Sequence, residues 1–141
     1  MTTGERSAED DLRIALQQVA RGIRQNRGDE HLGDTQLAVL INLSQSGPLT
    51  PSELAALERI TPPSMNRAVN TLEERGLVTR TKSEDDARKV LVELTPAARE
   101  VLAETRRLRT EWFSRRLAAL DPADRDALVA VTPLLRKLLD S

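Results

Sequence analysis

The chain has no cysteine and no tyrosine, and only one tryptophan, one phenylalanine and one histidine. Lack of cysteine rules out disulfides, thiolate metal sites and thiol-based redox sensing. With so few aromatics, the core must be built from Leu, Val, Ile and Ala, as in helix bundles. No apolar run approaches the roughly 18 residues that suggest a membrane span. The start M-T-T-G-E-R-S-A-E-D-D is too polar for a signal peptide. The expectation is a cytoplasmic protein with no membrane partner. There is no phosphate-cradling glycine loop and no H-E-x-x-H pairing. An enzyme is therefore not expected, nor a cofactor, nor a bound metal. Glu84, Asp85 and Asp86 do cluster. They fall on a loop tip, and metal-dependent turnover is the observation that would make them a site.

What is present suits a single domain of 141 residues. The formal net charge is -1, which by itself argues against a nucleic-acid partner. Its distribution says more. Residues 1–58 hold five basic and nine acidic side chains, whereas residues 59–89 hold seven basic and five acidic ones. The modest basic excess falls on the segment with the most pronounced motif.

Residues 1–8 read as a disordered start. From Asp10 to Arg27, Leu12, Leu16, Val19 and Ile23 fall on one helix face, and Gly28 suits a position just past the end. Arg21, Arg24 and Arg27 line another face, either solvated or open to an anionic ligand. After the loop at His31, Asp34 or Thr35 opens a second helix that buries Leu37, Leu40 and Ile41 and stops at Gly47-Pro48. Thr50-Pro51, Thr61-Pro62, Thr95-Pro96 and Asp121-Pro122 each set a capping oxygen before a proline, which has no N–H to leave unpaired. Glu53 completes a capping box with Thr50.

The Thr50 helix ends near Glu58 and the Thr61 helix begins almost at once, which is helix-turn-helix spacing. Leu54, Ala55 and Leu57 are expected inward on the first helix, and Met65, Ala68, Val69 and Leu72 on the second. Pro63, Ser64, Asn66, Arg67 and Asn70 then face outward. Those residue types suit DNA. Arginine forks onto guanine or grips phosphate, asparagine matches the donor–acceptor pair of adenine, and a serine near a helix start meets phosphate. Residues 77–81 and 90–94 are β-prone, and the charged run between them is expected to be a hairpin tip. There Asp86 is expected to orient Arg88 by an ion pair, so that the guanidinium can enter a narrow minor groove.

Thr95 opens a long helix to about Leu120 with Val101, Leu108 and Trp112 in one stripe. The final helix carries Leu128, Val131, Leu135 and Leu138, and Pro133 must kink or break it. The apolar stripes on the terminal helices exceed what a lone monomer can cover. Leu12, Leu16, Leu128, Val131, Leu135 and Leu138 are therefore expected to pair two copies of the chain.

The run T-P-P-S-M-N-R-A-V-N-T-L-E-E-R-G-L-V-T-R at 61–80, D-A-R at 86–88 and V-E-L-T-P at 92–96 resemble the MarR family of bacterial transcription regulators. The likeness spans about residues 10–140. It implies a mainly α fold with a small β-wing: a winged helix-turn-helix lobe at 34–94, a helical dimerisation region at 8–33 and 95–141, and a triangular homodimer. By position it implies DNA contacts at Pro63, Ser64, Arg67 and Arg88, with Asp86 as partner to Arg88. Asn66 and Asn70 rest on the helix-face reading. Near position 66 the family usually has an apolar residue or threonine. The resemblance further implies a regulator, in the first instance a repressor, bound to an inverted repeat in double-stranded DNA. It also implies release by a small phenolic or lipophilic effector. Arg21, Arg24, His31 and Trp112 are the candidates to line that effector's cleft. The competing reading is a winged-helix protein-interaction module without DNA binding, which salt dependence distinguishes.

Overall fold

The computed structural model describes residues 6–29 and 31–140. In chain order these form α1 (Ala8–Arg24), α2 (Asp34–Ser46), α3 (Pro51–Glu58), α4 (Pro62–Glu74), β1 (Val78–Lys82), β2 (Val90–Leu94), α5 (Pro96–Ala118), α6 (Pro122–Ala130) and α7 (Thr132–Leu139). The chain divides into two compact units, Arg27–Arg106 and Met1–Asn26 with Arg107–Ser141.

The unit Arg27–Arg106 holds the helix-turn-helix, the wing and a core without aromatics. Leu32, Val39, Leu40, Leu54, Met65, Val69, Leu72, Val78 and Val92 are all fully buried. Each such side chain contributes about 1.5–3 kcal/mol relative to exposure, and together they fix how α2, α3 and α4 pack. The caps of α3 and α4 sit where the sequence places them. Thr50 Oγ1 accepts from the Glu53 N–H at 3.1 Å, and Glu53 Oε1 accepts from the Thr50 N–H at 3.2 Å. Thr61 Oγ1 accepts from the Ser64 N–H at 3.3 Å. Between α3 and α4 the turn is made by Arg59, a non-glycine residue at φ 53°. Past α4, Gly76 takes φ 73°. The Leu77 N–H then reaches Leu72 O at 2.9 Å and the Gly76 N–H reaches Glu73 O at 3.0 Å, a Schellman ending.

β1 and β2 pair antiparallel, with Val78 opposite Leu94 and Lys82 opposite Val90. A third piece of chain joins them. The Val92 N–H donates to Leu49 O at 2.7 Å, and the Leu49 N–H donates to Val92 O at 3.3 Å. The approach to α3 is therefore stitched to the wing.

Several expectations need correcting. Residues 1–5 lie outside the described residues, but Ala8 is already helical, with Ser7 as its cap. α1 stops at Arg24, so Gly28 is not its terminator. Gly28 is instead pressed against α5. A Cβ there would fall 2.9 Å from Glu104 Cβ, and the Gly28 N–H donates to Thr105 Oγ1 at 2.9 Å. Gly33, not Asp34 or Thr35, caps α2, and its N–H is taken by Gln36 Oε1 at 3.3 Å. Leu57 is 55% exposed, because α3 is short and only Leu54 and Ala55 reach the core. Asp121 precedes α6 but makes no side-chain capping bond.

In the other unit, α1, α6 and α7 have no buried residue. Pro133 breaks the last helix instead of bending it: α6 closes at Ala130, Val131 forms the joint, and α7 starts at Thr132. α1 and α5 meet closely. A Cβ on Gly22 would lie 2.5 Å from the Trp112 ring, so only glycine lets the indole lie against α1 there. Arg109 of α5 caps the end of α1, donating from Nε to Asn26 O at 3.1 Å and from Nη2 to Arg24 O at 3.4 Å. A cation at these carbonyls also complements the helix dipole.

Candidate nucleic-acid interface

α4 turns Met65, Ala68, Val69 and Leu72 into the core. The 3.6-residue period then leaves Pro63, Asn66, Arg67 and Asn70 exposed and Ser64 half-buried. Ser64 joins two neighbours. Thr61 Oγ1 and Ser64 Oγ lie 2.9 Å apart in a hydroxyl–hydroxyl bond, and Arg67 Nη2 donates to Ser64 Oγ at 3.3 Å. This short chain of hydrogen bonds holds the Arg67 guanidinium beside the helix start, where backbone N–H groups also favour anions.

The outward residues divide between two concavities. Asn66 and Arg88 line one of about 390 Å³, together with Thr50, Ser52, Pro62 and Lys89. It lies among the starts of α3 and α4 and the wing. Ser64 and Arg67 line another of about 510 Å³, with Gly33, Asp34 and Thr35 at the start of α2. Thr50, Ser52 and Lys89 were missed in the sequence. Lys89 adjoins Arg88, and Ser52 sits in the first turn of α3, but neither signal is specific.

The wing tip departs from expectation. Residues 86–88 are not in a strand, so Asp86 and Arg88 do not share a strand face. Asp86 Oδ1 accepts the Arg88 backbone N–H at 3.0 Å, and Asp86 O accepts the Lys89 N–H at 3.0 Å. Asp86 thus shapes the turn that presents Arg88. Among the described residues no ion pair engages the Arg88 guanidinium. Among them, too, no cluster of acidic or histidine side chains could hold a metal ion, and no helix is long and apolar enough to cross a membrane.

Of the candidate effector residues, Arg21 and Arg24 are exposed on α1 and His31 is exposed in the loop before α2. Trp112 lines a cavity of about 330 Å³ with Asn26, Leu108, Glu111, Arg115 and Arg116. The Arg116 guanidinium lies 4.3 Å from the Trp112 ring centroid, a cation–π contact. Arg115 and Arg116 were not anticipated, since charges in the last turn of a helix usually mean only dipole compensation.

Comparison with known proteins supplies the family. The model of the MarR family matches residues 32–90. An HTH-type transcriptional regulator of Mycobacterium bovis, Mb0904, is 35% identical over 130 residues, covering 92% of this chain and 91% of that one. The chain belongs to the MarR family. As a MarR-family protein it is a DNA-binding transcriptional regulator, not an enzyme. Its winged helix-turn-helix matches that of solved MarR-family structures. The Pseudomonas putida repressor NicR is 29% identical over 130 residues, covering 92% of this chain and 80% of NicR. The structure of Bordetella bronchiseptica BpsR, whose DNA binding is regulated by 6-hydroxynicotinic acid, aligns at 27% identity and a TM-score of 0.64. The alignment covers 100% of this chain and 99% of BpsR.

Proposed function

We propose that this MarR-family regulator represses transcription by binding an inverted repeat as a homodimer, with α4 in the major groove and the wing at the flanking minor groove. The observation that carries this reading is the shared groove of Asn66 on α4 and Arg88 on the wing. Asn66 and the Arg88 guanidinium, from two elements, flank one open surface. Pro63, Ser64, Arg67 and Asn70 extend it along α4, and Asp86 holds the wing turn. Residues 34–94 act as the DNA-binding lobe.

Residues 8–33 and 95–141 act as the pairing region. The support is the apolar surface left on the terminal helices. Leu12, Leu16, Leu128, Leu135 and Leu138 are exposed, and Val131 is half-buried at the α6–α7 joint. Covering these across a two-fold axis removes them from water and spaces two recognition helices about 34 Å apart, one turn of DNA. An aromatic effector would bind at Trp112, with Arg115 and Arg116 opposing a negative group. Arg21, Arg24 and His31 are further candidates for the same role.

The test is selection of bound duplexes from a random pool at moderate salt. The expected result is enrichment of an inverted repeat with half-sites one turn apart, lost or weakened in Arg67→Ala and Arg88→Ala. A folded dimer that enriches nothing would leave a ligand-dependent binder or a protein-interaction module, the latter then ahead.

A further inference from the structure

We propose that Asp29 and Arg75 form a latch that sets the seat of the recognition helix, which makes both of them positioning residues for DNA binding. This rests on the reading of α4 as the helix that meets DNA.

The two residues are 46 apart in sequence and joined by an ion pair. Arg75 is the C-cap of α4. Asp29 lies in the α1–α2 loop. Their side chains are 30% and 20% exposed, more enclosed than most of the ion pairs on this surface. Asp29 is offered from a prepared platform. Its Oδ1 accepts the His31 N–H at 2.9 Å, leaving Oδ2 for Arg75. The loop itself is fixed at several points. The Gly28 N–H is held by buried Thr105, Arg27 Nη1 donates to Leu32 O at 2.8 Å, and Leu32 is in the core.

The end of α4 has other side-chain restraints. Glu73 pairs with Arg80 of β1 at 3.1 Å, and Thr95 Oγ1 donates to Gly76 O at 2.7 Å. These tie it toward the wing and toward α5. The Asp29–Arg75 pair ties it in a third direction, toward the α1–α2 loop. Met65, Val69 and Leu72 seat α4 in the core, and these ties add a grip at its C-terminal end, while Pro63, Ser64, Asn66 and Arg67 work at the other. A 13-residue helix is about 20 Å long. A tilt of about 5° at the grip moves the reading end by about 1.7 Å over that length, enough to spoil a hydrogen bond whose useful range is a few tenths of an ångström.

The sign of one substitution separates this role from two simpler ones. Removing an acidic charge from a DNA-binding surface ordinarily strengthens binding. If the latch positions α4, Asp29→Asn weakens binding instead. Asparagine keeps an oxygen for the His31 N–H, so the loop turn survives.

The experiment measures affinity of the full chain, across a salt series, for the duplex that the wild type enriches. Asp29→Asn, Arg75→Gln and the double variant are each expected to bind about tenfold more weakly. The double variant should be no worse than the weaker single, because both remove one interaction. The slope of log affinity against log salt should not change, since no phosphate contact is lost. Arg75→Lys should recover part of the affinity. The proposal is overturned if Arg75→Gln flattens the slope while Asp29→Asn binds as well or better, which makes Arg75 a phosphate contact. It is also overturned if neither single variant changes affinity. Amide exchange at residues 72–77 provides a readout without DNA. Asp29→Asn should speed it several-fold, and unchanged exchange rejects the latch even if no duplex is ever enriched. If Arg75→Gln fails to fold, Asp29→Asn and Arg75→Lys suffice for both readouts.

Discussion

The Arg67 guanidinium donates to Ser64 Oγ across one turn of α4, at 3.3 Å. Ser64 is in turn joined to Thr61, the residue that caps the helix. The cap of the helix and the arginine proposed to meet DNA therefore belong to one hydrogen-bonded chain. Arg67→Ala should weaken binding to a selected duplex by roughly 5- to 150-fold, the equivalent of 1–3 kcal/mol for a base contact. Ser64→Ala should cost less, because Arg67 keeps its charge and loses only its orientation. Fluorescence anisotropy titrations at fixed salt decide both.

Leu135 and Leu138 stand exposed on α7. If α7 pairs two copies as proposed, Leu135→Asp or Leu138→Asp should sediment as a monomer where the wild type sediments as a dimer, and operator binding should fall with it. A variant that sediments as a dimer removes α7 from the pairing surface.

Gly28 packs against Glu104 and the Val101 carbonyl with no room for a Cβ, and its N–H is held by Thr105 Oγ1. Gly28→Ala is expected to cost about 1–3 kcal/mol by overpacking. Thr105→Val should cost about 1–3 kcal/mol by leaving the Gly28 N–H without its acceptor. Urea melts followed by circular dichroism measure each.

Arg59 holds a left-handed backbone at φ 53° in the turn between α3 and α4. A β-branched side chain tolerates this region poorly. Arg59→Val should lose roughly 1–2 kcal/mol. Arg59→Gly should be close to neutral, because relief of the backbone offsets the added freedom of the unfolded chain.

Trp112 is the sole tryptophan. An aromatic acid that enters the cavity beside it should quench or shift the whole intrinsic emission of the protein. Arg116→Ala should weaken that response. A ligand that releases DNA without altering the emission binds elsewhere.

Some local chemistry, where a residue acts on neighbours within one turn, was legible in the sequence. Thr50 with Glu53, Thr61 with Ser64, and Gly76 past α4 are such cases, and the face of α4 follows from its period alone. Contacts whose cause lies far along the chain were not legible. Gly28 looked like a helix terminator because nothing nearby hints that Glu104 and the Val101 carbonyl press upon it and Thr105 takes its N–H. Asp86 and Arg88 were read with strand geometry, and the tip turned out to be a turn. Leu57 has the right composition for a core but sits on a helix too short to bury a second side of itself. Asp29 and Arg75 carry no pattern at all, since an ion pair across 46 residues leaves no local trace.

The two backbone bonds between Leu49 and Val92 have a topological consequence. They knot the ends of the segment that contains α3, α4 and most of the wing, so this stretch is a closed ring in hydrogen-bond terms, not an open string. Fraying from either side must first undo that closure. The Leu49 and Val92 amides should therefore exchange with solvent only when the entire ring opens, and the tip of the wing should exchange long before them.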